Sequence, residues 1–236
     1  MYQITPGQDL LCIGYTGLYG TRYILDRKLD KITSHFSRTY LTEETQHLDK
    51  LPRIDIRDHR ISVENIPILT RTGVPVREDE PELVAMLNAG ELSYGAISDL
   101  LPSFEMKYGV SKIREIREGG ILSALWDFCA EEGRDTATGR ILSPGPGCEY
   151  FLSRIPVLQF TVELCECLEL MPFRIYAGGA YLAAASQGYR LCEELNRLGV
   201  SASVFGHLTT GRQRLRMDGA EPGFLTNEHR DEIDKI

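Results

Sequence analysis

The chain has 236 residues, 42% hydrophobic and 25% charged, a composition that supports a packed core and either one large domain or two small ones. Its formal net charge of −8 repels a phosphate backbone over most of the surface, which argues against nucleic acid as a partner while leaving local Lys/Arg clusters able to take a small anion. No run approaches the roughly 20 apolar residues of a membrane span, and the opening MYQITPGQDLL lacks a basic stretch followed by a long apolar one, so neither a membrane protein nor a secreted one is expected.

Residues 8–14 (QDLLCIG) read as a short buried strand. A glycine-rich turn, Gly14 to Gly20, leads into a helix predicted over 15–36, with Leu18, Ile24, Leu25, Leu29 and Ile32 on its apolar face. Residues 38–80 are rich in charge and broken by Pro52, Pro67 and Pro75. Within them RIDIRDHRISVENIPIL alternates, which predicts one or two short strands in an exposed hairpin, and TRTGVPVREDEPE reads as loop. Leu83, Val84, Met86 and Leu87 predict a helix within 81–100, stopped at Gly90, with a second short one at 93–101. The clearest amphipathic helix spans 119–132, with Ile121, Leu122, Leu125, Phe128 and Cys129 facing inward. The stretch 135–147 reads as loop, 148–157 as strand, and 160–170 as a helix ending before Pro172. A strand pair is expected around Gly178-Gly179 within 175–186, then a helix over 187–199 with Gly199 as its C-cap. A strand over 200–208 is expected to form a hairpin with 211–217, and Asp218-Gly219 marks a further turn. Together these give an α/β (α+β) fold with a mixed sheet and packed helices.

Three glycine segments and one histidine are candidates for chemistry. Gly14, Gly17 and Gly20 let backbone approach a ligand, and a helix N-terminus there favours an anion, so Gly17, Gly20 and Thr21 are ligand-binding candidates. The spacing GxxGxxG is neither the dinucleotide fingerprint nor a P-loop, and tight turning with close helix packing explains it equally well. Glu115 and Glu118 ahead of Gly119-Gly120 can hold a metal or orient a substrate amine; the plainer reading is an acidic group suited to a helix dipole and a glycine turn. Gly178 and Gly179 allow a close backbone approach or simply a tight turn. His207, after Gly206 at a strand end, can carry a proton or serve structure. No histidine falls in a zinc spacing and no GxSxG elbow is present, so no metal site and no hydrolase triad are expected. The six cysteines are scattered without CxxC pairs and read as reduced core thiols of a cytoplasmic protein.

Several segments together resemble one family. PGQDLLCIGYTGLYGTRYIL resembles the start of the C-terminal domain in the aminoimidazole ribonucleotide (AIR) synthetase superfamily, which includes thiamine-monophosphate kinase, selenophosphate synthetase and the hydrogenase maturation factor that dehydrates a carbamoyl group. IREIREGGILSALWDFCAEEG resembles the family's acidic-Gly-Gly helix start, usually HD-x-T-x-GG-x-x-x-x-L. RIPVLQFTVELCECLELMPFRIYAGGAYLAAAS resembles the strand, helix and Ser-Gly turn that follow, and GVSASVFGHLTTG the closing strand. The resemblance covers about two-thirds of the chain, nearest to AIR synthase-related and hydrogenase-maturation-like proteins. Departures accompany it. Arg114, Glu115, Ile116 and Arg117 stand at the His-Asp-x-Thr positions, and Ala177 stands where a serine is usual. The N-terminal domain that carries the family's Asp-rich magnesium and ATP site is expected to be missing, and residues 38–105 to be an insertion.

The resemblance implies a single domain over 1–236 that is noncatalytic or completed by a partner, binding a small anionic ligand or a protein. ATP and magnesium enter only if a partner supplies the missing half; the chain is then an ATP-dependent enzyme with Glu115 as candidate catalytic residue. A scaffold subunit docking through 38–105 is the third reading. The partners expected are a second copy in a homodimer or a separate subunit, and a small phosphorylated ligand.

Overall fold

A computed structural model describes residues 4–51, 53–57, 60–64, 107–133, 135, 137–140, 145–197 and 199–236. The first strand, β1 (Asp9–Ile13), carries Leu10 and Cys12 toward one face and Leu11 and Ile13 toward the other, as period-2 geometry requires. It lies between β6 (Tyr181–Ala185) and β7 (Ala202–Thr209), antiparallel to both. Beyond β6 the sheet ends on β4 (Val110–Glu115). Beyond β7 it continues through β5 (Gly147–Tyr150), β8 (Arg214–Arg216) and β9 (Gly223–Phe224). All the neighbours are antiparallel except β5 and β8, so the sheet is mixed, as expected.

Helices cover both faces. α4 (Gly120–Ala130) buries Ile121, Leu122, Leu125, Phe128 and Cys129 against Leu10, Cys12, Leu182 and Phe205. On the other face α6 (Gly188–Arg197) sets Leu191, Cys192 and Leu195 against Leu11, Ile13, Ala183 and Val204. Gly199 follows α6 with φ 77°, the left-handed conformation expected of a C-terminal glycine. A third apolar cluster joins α1 (Leu18–Arg27), α2 (Leu29–Ile32), α3 (Arg38–Lys50) and α5 (Gln159–Cys167) through Ile24, Ile32, Leu41, Leu48, Phe160 and Leu164. No helix among the described residues is long and apolar enough to cross a membrane.

The sequence-based elements need several corrections. The helix expected over 15–36 starts only at Leu18 and breaks at Lys28, whose φ of −130° leaves the helical region. Residues 38–50 are helical, although charge dominates them. Ser37 caps the helix by accepting the Tyr40 N–H, and Leu41 and Leu48, two turns apart, form its buried seam. The start of the segment expected as an insertion at 38–105 is thus packed against α5. The strand expected over 148–157 ends at Tyr150 and gives way to a 3-10 turn at Leu152–Arg154. Only the second half of the strand pair expected within 175–186 is a strand, because Gly178 and Gly179 hold φ of 50° and 81° and bend the chain into β6. The segment 211–217 does not form a hairpin with β7, whose two edges are occupied by β1 and β5. Its strand β8 pairs instead in parallel with β5. The hairpin expected within 53–69 is present as β2 (Arg53–Arg57) and β3 (Arg60–Glu64), in register from Arg53–Glu64 to Arg57–Arg60. The helices expected at 81–100 and 93–101, the loop at 70–82 and part of that at 135–147 lie outside the described residues.

One polar contact fixes α3 against α5. The Tyr40 hydroxyl donates to Glu163 Oε2 at 2.6 Å, while its ring meets Phe160 edge-on. The carboxylate acceptor pushes the Tyr40 pKa up to about 12 and draws that of Glu163 down. Tyr40→Phe keeps the ring and removes the bond. It is expected to lower stability by about 1 kcal/mol, measured as a urea midpoint shift at neutral pH; an unchanged midpoint would show that the contact is neutral.

Candidate functional site

The edge strand β4 delivers Glu115 opposite Tyr181 of β6. One further backbone bond, Ile116 N–H to Ala180 O at 2.8 Å, extends the pairing before the chain turns. The turn Arg117–Glu118–Gly119 then feeds α4. Gly119 and Gly120 hold φ of 73° and 65°, a region that L side chains rarely adopt. Crowding also demands glycine at both positions: a Cβ on Gly119 would lie 2.3 Å from Ser123 Oγ, and one on Gly120 would lie 2.3 Å from the Phe173 carbonyl oxygen.

The turn is held from the far end of the chain. Asp231 Oδ2 accepts the Gly119 N–H at 2.9 Å, and its Oδ1 accepts the Ile233 N–H at 3.0 Å. The Asp231 side chain is buried, and burial raises its pKa above the usual carboxylate range, opposed by those two N–H donors. Ser123 in the first turn of α4 donates to the Glu228 carbonyl oxygen at 2.7 Å.

In front of this turn lies a cleft of about 310 Å³, lined by Arg114, Glu115, Arg117, Glu118, Ser123, Ala124 and Asp127. Its charges interlock. Arg117 Nε meets Glu115 Oε2 at 2.8 Å; Arg114 bridges Asp127 at 3.2 Å and also Glu131; His229 Nε2 lies 3.7 Å from Asp127 Oδ1. The Arg117 side chain is 72% exposed, so its guanidinium can leave Glu115 for a competing anion at little cost in packing.

The structure brings Glu115, Glu118, Gly119 and Gly120 together around the cleft. Gly178 and Gly179 lie alongside, joined by the Gly178 N–H donating to Ile116 O at 3.2 Å. Gly17, Gly20 and Thr21 do not line the cleft and are buried. The N–H groups of Tyr19 and Gly20 donate to the carbonyls of Ala177 and Tyr176 at 3.0 and 2.9 Å, and that of Thr21 to Gly17 O at 2.9 Å. The Thr21 hydroxyl shares a 2.8 Å bond with that of Thr161. A Cβ on Gly17 or Gly20 would press on Ile175 at about 3 Å. The N–H donors of Gly20 and Thr21 are thus taken by protein carbonyls, and Gly17 packs against Ile175 and Thr161. His207 sits on β7 opposite Glu149, 3.5 Å from its carboxylate, in an exposed cross-strand pair. Ser123, Asp127, His229 and Asp231 were not singled out from sequence. An acidic cap ahead of a short helical turn is legible at Asp231, but its partner 112 residues away is not. Among the described residues no group of three His, Cys, Asp or Glu is placed to hold a metal ion.

Among solved structures the chain is similar to Escherichia coli HypE, a hydrogenase maturation protein, with a TM-score of 0.52 at 16% identity over 97% of this chain and 52% of that one. It is similar to a HypE determined in complex with ATP, with a TM-score of 0.51 at 12% identity over 95% of this chain and 51% of that one. The chain thus spans about half the length of these HypE chains. At such identities the likeness is one of fold, and it is the fold that the sequence resemblance implied. No protein-family model and no curated protein matches the chain.

Proposed function

We propose that this chain is a HypE-like domain that works together with a second domain or subunit, and that the Glu115–Gly120 cleft receives a small anionic ligand or a partner's acidic group. The observation that carries the reading is the exposed Arg117 guanidinium beside a rigid glycine turn, within a cleft of about 310 Å³. The second copy of a homodimer or a separate subunit would supply the other wall.

The cleft suits binding better than chemistry by itself. Phosphoryl transfer depends on a positioned metal and a phosphate clamp, and here Glu115 and Asp127 are each engaged by a guanidinium. The carboxylates therefore fit a free magnesium ion poorly, whereas the arginines fit a phosphate or carboxylate. ATP is the ligand named for one HypE structure of this fold; Arg117 and Arg114 are the residues of this chain that would meet its phosphates if a partner supplied the nucleotide site. Glu115 would then orient the Arg117 guanidinium.

A thermal-shift screen tests the reading with inorganic phosphate, AMP and Mg·ATP as probes. A rise of several degrees with one of them is expected, abolished in Arg117→Ala, which should leave the unliganded midpoint unchanged. The purified chain is expected not to hydrolyse ATP; robust magnesium-dependent turnover would overturn the noncatalytic reading in favour of an enzyme. No response to any probe, together with a stable oligomer, would favour a scaffold.

A further inference from the structure

Across the first turn of α4 from the Glu115–Gly120 cleft, a separate cavity of about 210 Å³ lies beside β8 and β9, with Leu122 and Arg174 in its lining. Its polar side chains point to one kind of ligand. Arg174, carried by the 3-10 turn Pro172–Arg174, is only 7% exposed. Its Nη1 donates to the Glu228 carbonyl oxygen and its Nη2 to Thr226 Oγ1, both at 2.8 Å, which fixes the head group. The carboxylate beside it, Glu228 at 3.6 Å, is 56% exposed and so a screened counter-charge. Arg216 on β8 is the second cation. Its Nε is buried without a hydrogen bond, with Asp218 Oδ1 3.5 Å away as an ion-pair partner, while Oδ2 of that carboxylate accepts the Ser153 N–H. Tyr150 lines the same space; burial pushes its pKa up to about 12, so it stays a neutral phenol at neutral pH.

The remaining walls are Leu122, Leu152, Met171, Phe224 and Leu225, with Gly223 and Thr226. Phe224 is 69% exposed on the last strand, a large hydrophobic ring left at the rim. Arg174, Arg216 and Tyr150 line, beside these apolar walls, a cavity smaller than the roughly 300 Å³ of a typical drug-sized pocket. Planar guanidinium forks match a carboxylate, and the apolar walls match a small hydrocarbon or aryl body. We propose that this cavity is a second binding site, with a lining distinct from that of the Glu115–Gly120 cleft, for a small monocarboxylate with an apolar body, its carboxylate at Arg216 and Arg174 and its body under Phe224.

Calorimetric titration of the full chain with benzoate and hexanoate tests this, with benzamide as the neutral isostere of benzoate. Saturable binding of at least one acid is expected, with benzamide at least tenfold weaker. Arg216→Met and Phe224→Ser should each weaken the acid at least tenfold, while Arg117→Ala leaves it unchanged. Phe224 is exposed enough for its variant to fold, and backbone amide shifts should place the bound acid at residues 214–226. The proposal is overturned by no saturable binding of either acid, by benzamide binding as well as benzoate, by full binding in the Phe224 variant, or by loss of binding in Arg117→Ala. The last outcome would move the ligand to the first cleft, and failure there leaves the present cavity untouched.

Discussion

Gly120→Ala is expected to destabilise the chain by more than about 3 kcal/mol, roughly a 10 °C fall in the unfolding midpoint for a domain of this size. Two costs add. The residue holds φ of 65°, which charges any Cβ about 1 kcal/mol or more. The new carbon would also stand 2.3 Å from the Phe173 carbonyl oxygen and 2.8 Å from Arg174 Cα, backbone atoms of a 3-10 turn that cannot swing aside. Gly139→Ala separates the two costs. Gly139 has a similar φ of 68°, but a Cβ there meets nothing within 4 Å. It should lose only the conformational part. Equal urea midpoints for the two variants would show that crowding at Gly120 is relieved by movement and that the turn is softer than its geometry suggests.

Asp231→Ala is expected to cost about 2–4 kcal/mol, because it strips the acceptor from the buried Gly119 N–H and from the Ile233 N–H at once. Asp231→Asn gives the sign of the pH effect. Burial raises the folded-state pKa of this carboxyl above its ordinary 3.8. The folded state therefore binds the proton more tightly than the unfolded state. The resulting stabilisation is complete below the ordinary value and is lost as pH rises through the raised one. Relative to Asp231→Asn, the native chain should accordingly lose stability as pH climbs out of the carboxylate range toward neutrality. Urea midpoints of both proteins at about pH 4 and about pH 7 measure the difference; a gap that stays constant or widens in the other direction would remove burial as the dominant influence on Asp231.

What sequence alone could reveal follows the range of the forces involved. α4 and α6 are legible because their apolar faces repeat locally, and Gly199 ends α6 by its own conformational freedom. β1 shows as a short unbroken apolar run ended by Gly14. α3 escapes notice because Leu41 and Leu48 form a thin seam among charged neighbours, and only contact with α5 makes that seam worth burying. The pairing of β8 depends on which edges are already filled, a property of the whole sheet. The same division runs through the site. Glu115, Glu118, Gly119 and Gly120 are close in sequence and stay together in space. The donors at Gly20 and Thr21 look available for an anion until the carbonyls of Tyr176 and Gly17 take them.

Asp231 and Ile233 also reach two different glycines, one in the turn before α4 and one inside α1. Asp231 holds the Gly119 N–H, and Ile233 Cδ1 sits 2.9 Å from where a Gly20 Cβ would be. The cleft therefore cannot reach its final shape until residues 231–233 have docked, and these lie 112 residues beyond the turn they fasten. Contacts of such separation are entropically late in folding. During synthesis the sheet and α4 can form first, with the cleft among the last features to set. A chain stalled or nicked before Asp231 would keep much of its core and lack a defined cleft, so that binding competence reports on completion of the fold in a way that secondary structure does not.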